Sequence, residues 1–134
     1  MEYSQFITRV QKDADLNDPN KADRVTRAVL GTLGELLTEA GRHHLEAQLP
    51  KQLKQYIYSW DYTLDAEKPV AGLSEEKIIN RIQARADLNH RETMKGITSV
   101  VKVMRQAISA GELKELEDKL QRLESMLATM EQTA

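Results

Sequence analysis

Arg9-Val10-Gln11-Lys12-Asp13-Ala14-Asp15-Leu16-Asn17 returns as Arg81-Ile82-Gln83-Ala84-Arg85-Ala86-Asp87-Leu88-Asn89. Six of the nine positions are identical and a seventh exchanges Val10 for Ile82, so the chain reads as one unit written twice. The match continues by pattern. Val29, Leu33, Leu45-Glu46 and Leu49 fall opposite Val100, Met104, Leu116-Glu117 and Leu120, after a one-residue gap near Pro19. Charge divides the chain in the same way. Residues 1–57 carry eight charges of each sign and residues 74–134 carry ten of each, which leaves the whole excess of two negatives in the segment 58–73.

Within each half the apolar residues recur at helical spacing. Tyr3, Phe6, Val10 and Ala14 form a first stripe, repeated by Ile78, Ile79, Ile82 and Ala86 behind Ser74, a natural N-cap. Asp18-Pro19 offers a cap followed by proline at the first helical position, and Asn89 with Glu92 is close to a capping box. The second helix that each starts buries Ala22, Val25, Val29, Leu33, Leu36 and Leu37, or Met94, Ile97, Val101, Met104 and Ile108, and is expected to be the central helix of its unit. Gly41 and Gly111 are expected helix stops. Leu45, Leu49, Leu53 and Ile57 then step by four with a break expected at Pro50, whereas Leu113, Leu116, Leu120, Leu123, Leu127 and Met130 make one straight amphipathic helix. Gly31 and Gly34 lie inside the second helix, where a close crossing explains them best.

A chain of 134 residues with 40% apolar and 30% charged residues fits one compact domain or two very small ones. A net charge of −2 argues against a protein built mainly to neutralise a phosphate backbone. The absence of cysteine excludes a disulfide scaffold, a thiolate zinc site and cysteine catalysis. No apolar run is long enough for a membrane span or a signal-peptide core, so the expected location is the cytoplasm.

Thr26-Arg27-Ala28-Val29-Leu30, Ala47-Gln48-Leu49-Pro50, Ile57-Tyr58-Ser59-Trp60-Asp61 and Ala110-Gly111-Glu112-Leu113 together resemble a bacterial family of helical proteins, domain-of-unknown-function family 2267. The resemblance runs from about Tyr3 to Leu127. It departs from the family pattern at Ser59, where the aromatic stretch is shortened, and at Gln121, where a second Leu-Pro is expected. It implies a duplicated helical fold, and the family has no established catalytic activity to carry over.

Two candidate surfaces emerge. Tyr56, Tyr58, Trp60 and Tyr62 hold four of the six aromatic residues, and their spacing of two would place them on one side of an extended segment. They could plug the seam between the halves or form a partner-binding patch, since Tyr and Trp are favoured hot-spot residues. The closing leucine stripe satisfies a heptad seam for about two and a half repeats. It can pack within its own chain or dimerise through residues 113–130, with Glu117, Lys119 and Glu124 flanking the seam. Elsewhere, His43 and His44 point about 100° apart on a helix and cannot share one ion, while Glu39, His43 and Glu46 share a face that reads as solvated surface. Arg24, Arg27, Lys51 and Lys54 could form a small basic patch, but acidic residues are interleaved with them.

The expectation is therefore an all-α protein of two similar three-helix units in one bundle-like domain: residues 1–57, an aromatic linker 58–73, and residues 74–134. The units should pack through their second and third helices. No catalytic, metal or cofactor residue stands out. The expected function is that of a soluble bacterial interaction or regulatory protein, meeting a protein partner through Tyr58, Trp60 and Tyr62 or through Leu120, Leu123 and Leu127. A nucleic-acid-binding regulator is the alternative.

Overall fold

The first stripe folds as α1 (Tyr3–Asp13), which buries Phe6, Ile7 and Val10, and its counterpart as α5 (Glu75–Ala86), which buries Ile78, Ile79, Ile82 and Ala86. These coordinates are a computed structural model that describes residues 1–60, 72–108 and 114–133, with side chains described as far as Met130. α1 ends two residues before the Asp-Leu-Asn signature and α5 directly before it. Asp15 has φ 54° and Asp87 φ 55°, the two non-glycine residues in the left-handed region among those described. Aspartate tolerates that conformation because its short side chain can bond locally to the backbone.

The second helices are α2 (Pro19–Leu36) and α6 (His90–Ala107), each of 18 residues. Asp18 accepts the Asn20 N–H at 2.8 Å with Pro19 at the first position, and Asn89 with Glu92 forms the full capping box. Their starting residues lie 71 positions apart, and positions separated by that same offset meet where the two helices cross. Lys21 Nζ lies 2.6 Å from Glu92 Oε2, and a Cβ added to Gly96 would stand 2.7 Å from Val25 Cγ2. A crossing at which each position faces its own counterpart has the local form of a two-fold contact. Here the paired residues are opposite in charge, or large against small.

In the first half, α3 (Glu39–Gln48) follows, then a break at Leu49-Pro50, the single turn α4 (Lys51–Lys54), and a 3₁₀ turn over Gln55–Tyr58. The break falls where proline removes a backbone donor. Gly41 does not stop a helix, as its composition suggested. It lies in the first turn of α3, where its N–H donates to Thr38 Oγ1 at 3.1 Å. The chain turns at Leu37 and Thr38 instead, because Arg42 reaches back and donates to the Leu37 and Gly34 carbonyls at 2.8 and 3.2 Å, satisfying the end of α2. Gly111, the other expected stop, lies outside the described residues. In the second half α7 (Lys114–Thr133) runs unbroken.

Phe6, Leu30, Leu33, Leu45, Leu53, Ile79, Ile82, Ile97 and Met104 belong to one continuous core that draws on both halves. The seam between them is wider than the expected one. The second helices cross and α3 meets α7, but first helices also pack on second helices of the other half, α1 on α6 and α5 on α2. Glu115 joins the third helices: its carboxylate accepts the Thr38 N–H at 2.6 Å and the Thr38 hydroxyl at 2.8 Å, capping α3 from α7. Those bonds hold the Glu115 carboxyl below its usual range.

Candidate functional site

After Pro50 the chain doubles back as a strap, residues 55–60, laid across α2. Two glycines make the approach possible. A Cβ on Gly34 would collide with the Ile57 carbonyl oxygen, and one on Gly31 would come within 2.5 Å of the Trp60 ring and 3.1 Å of the Tyr56 carbonyl oxygen. The close crossing expected of Gly31 and Gly34 is thus made by the chain's own aromatic segment.

That segment is wound, not extended. Around a 3₁₀ turn successive residues advance by about a third of a circle, so side chains two apart diverge instead of sharing a side. Tyr56 turns inward. Its hydroxyl donates to Asp23 Oδ1 at 2.6 Å, and Tyr3 donates to the same oxygen at 2.5 Å, tying α1, α2 and the strap together. Burial together with the Asp23 carboxylate raises the pKa of both phenols. Tyr58 turns outward: it is 44% exposed and donates to Glu46 Oε2 at 2.7 Å. Burial of its ring and the neighbouring Glu46 also raise the Tyr58 phenol. Tyr62 lies outside the described residues.

Trp60 reaches the seam. Its half-buried ring has the Arg27 guanidinium of α2 at 5.1 Å from its centroid and the Arg85 guanidinium of α5 at 4.5 Å. Arg27 also donates from Nε to Ser59 Oγ at 3.1 Å. Arg85 is fixed by a fork of bonds to Glu35, 2.5 Å from Nη1 and 3.2 Å from Nη2, and by a bond from Nη1 to the buried Thr32 hydroxyl at 2.9 Å. With side chains 4% and 9% exposed, Arg85 and Glu35 form a buried ion pair between the halves. A planar guanidinium suits this place, since it can pair edge-on with a carboxylate while presenting its face to an aromatic ring.

Neither Glu35, Arg85 nor Thr32 stood out in the sequence. Arg85 lies inside the recurring stretch at a position where the copies differ, opposite Asp13, and that divergence was the available signal.

The other candidate surface is spent within the chain. Leu120, Leu123 and Leu127 are 2%, 2% and 3% exposed, covered by the molecule's own core. A partner meeting α7 would instead find Asp118, Gln121, Arg122, Ser125 and Thr129. The polar candidates also have local roles. Arg24 donates to the Asp87 carbonyl at 3.1 Å, and His43 stands 3.4 Å from Glu46 and 3.8 Å from Glu39 on exposed surface. Among the described residues no group of three His, Cys, Asp or Glu side chains is placed to hold a metal ion, and no helix is long and apolar enough to cross a membrane.

The model of an uncharacterised conserved protein family, DUF2267, matches residues 3–125, and the chain belongs to that family. No curated protein and no solved structure matches it.

Proposed function

We propose that this DUF2267 chain is a non-catalytic interaction or regulatory protein of the bacterial cytoplasm, built from two copies of one helical unit. It offers a partner protein the outer edge of the strap, Tyr58 and the open rim of Trp60. One observation supports this above all. Tyr58 and Met1 are the exposed large hydrophobic residues among those described, and only Tyr58 is mounted on a segment fastened on both sides. An aromatic ring held rigid before binding loses little conformational entropy when a partner covers it, as binding hot spots require. The equal second helices, the paired left-handed aspartates and the meeting of equivalent positions support the two-copy reading.

Tyr58→Ala is the separating test, because Tyr58 contributes little to the core. Affinity-tagged wild-type protein should retain a specific co-purifying protein that the variant loses, while circular dichroism shows unchanged helix content. A variant that retains the same partner in the same yield would end the proposal.

A further inference from the structure

At the 71-residue offset, Gly31 and Gly34 of α2 correspond to Lys102 and Arg105 of α6. The first pair is buried under Trp60 and Ile57; the second is exposed. Among the described residues the second half returns no strap over α6: Gln121 stands where the first half has Pro50, and α7 runs straight through it. The uncovered face carries Arg91, Lys95, Thr98, Lys102 and Arg105, and its charges have one sign. The outer faces of α5 and α7 mix signs, with Glu76 beside Lys77, and Asp118 and Glu124 among Lys114 and Arg122. Beside α6, residues Arg9, Lys12 and Asp13 of α1 join Lys102, Val103 and Gln106 around a trough of about 440 Å³.

We propose that this face docks an acidic segment of a partner protein, laid along α6 in the place that residues 55–60 take on α2. The chain itself shows the pairing. Lys102 Nζ meets Asp13 Oδ1 of α1 at 3.0 Å, and Arg105 meets both Glu117 and Glu124 of α7, so a helix alongside α6 engages it through carboxylates. Arg91, Lys95 and Lys12 form no ion pair among the described residues, and Arg91 to Lys102 spans about 16 Å, three turns along which spaced carboxylates can lie. A polypeptide fits better than a nucleic acid. Asp13 inside the trough and Glu92 beside Arg91 repel a continuous run of phosphates, whereas a peptide can turn backbone N–H groups toward them. Among the described residues no exposed aromatic lies on this face to stack a base. The surface uses none of the strap residues, so it stands or falls apart from the Tyr58 edge.

The test uses the full chain and a fluorescein-labelled peptide of alternating glutamate and alanine, followed by anisotropy at low and physiological salt. A labelled DNA duplex is the competing probe, and sedimentation measures self-association. Binding of the peptide should weaken about tenfold in the double variant Arg91→Glu, Lys95→Glu and change less than about twofold in the control Lys51→Glu, Lys54→Glu. All four are surface lysines or arginines, and circular dichroism checks that each variant is folded. Absence of peptide binding at low salt, equal loss in both double variants, tighter binding of the duplex through Arg91 and Lys95, or self-association abolished by their reversal would each overturn the proposal.

Discussion

The helices α2 and α6 have the same length and equivalent caps, and both reach the partner half, yet one is enclosed and the other keeps an open face. The difference rests on three positions. Gly31 and Gly34 clear a channel on α2, and Pro50 breaks the third helix so that the chain can return through it. With Lys102, Arg105 and Gln121 at the corresponding places, the described residues of the second half form neither channel nor return. The strap therefore encloses α2 in the first half, while α6 in the second half keeps an accessible face. The strap then fastens the first half to the second through Trp60, Arg85 and Glu35.

The sharpest way to break this contrast is to unfasten the strap from the second half. Arg85→Ala leaves the Glu35 carboxylate buried without its counter-charge and should cost about 3–5 kcal/mol in urea unfolding. The double variant Arg85→Met, Glu35→Leu should recover most of that loss, because the desolvation of both charges disappears with them. A double variant no more stable than Arg85→Ala would show that the pair does more than satisfy itself.

Trp60→Ala should cost about 2 kcal/mol, less than a fully enclosed tryptophan because part of the ring is open. Its effect should be coupled to that of Arg85→Ala, so that the two together cost less than their sum. Strict additivity would separate the ring from the ion pair.

Titration distinguishes the seams. The Glu115 and Glu92 carboxyls are lowered below 4.5, by the Thr38 bonds and by Lys21 respectively, so their stabilisation is present above that pH and is lost as pH falls through the folded values. The Tyr3 and Tyr56 phenols are raised above 10, so theirs is intact below pH 10 and is lost as pH rises. The urea midpoint should fall at both extremes. Glu115→Gln should blunt only the acid limb and Tyr56→Phe only the alkaline one; a single variant that flattens both would contradict these assignments. The smallest effect belongs to Tyr58→Phe, which removes one exposed hydrogen bond to Glu46 and should shift stability by no more than about 0.5 kcal/mol.

Much of the fold was legible because it rests on local chemistry. Ser74, Asp18-Pro19, Asn89 with Glu92, and Pro50 act within a turn of themselves, and each starts or breaks a helix where its type dictates. Gly31 and Gly34 announced a close crossing, but not what would cross. The site was harder to read because its partners are distant in sequence. Glu35 and Arg85 are 50 positions apart, and nothing about either residue alone marks it as buried. The aromatic spacing of two pointed to an extended segment, which the tight winding after α4 overrode. Gly41 misled for a related reason: the turn it was expected to make is supplied by Thr38 and Arg42.

Corresponding positions of α2 and α6 have unequal surroundings, and urea unfolding of two alanine variants tests that most directly. Gly34→Ala must displace the Ile57 backbone and should lose about 1–3 kcal/mol, despite alanine's better helix propensity. Lys102→Ala, on the open face of α6, gives up one exposed ion pair and should stay within about 0.5 kcal/mol of wild type. Equal losses, or a more stable Gly34→Ala protein, would mean that the strap does not lie on α2 as described.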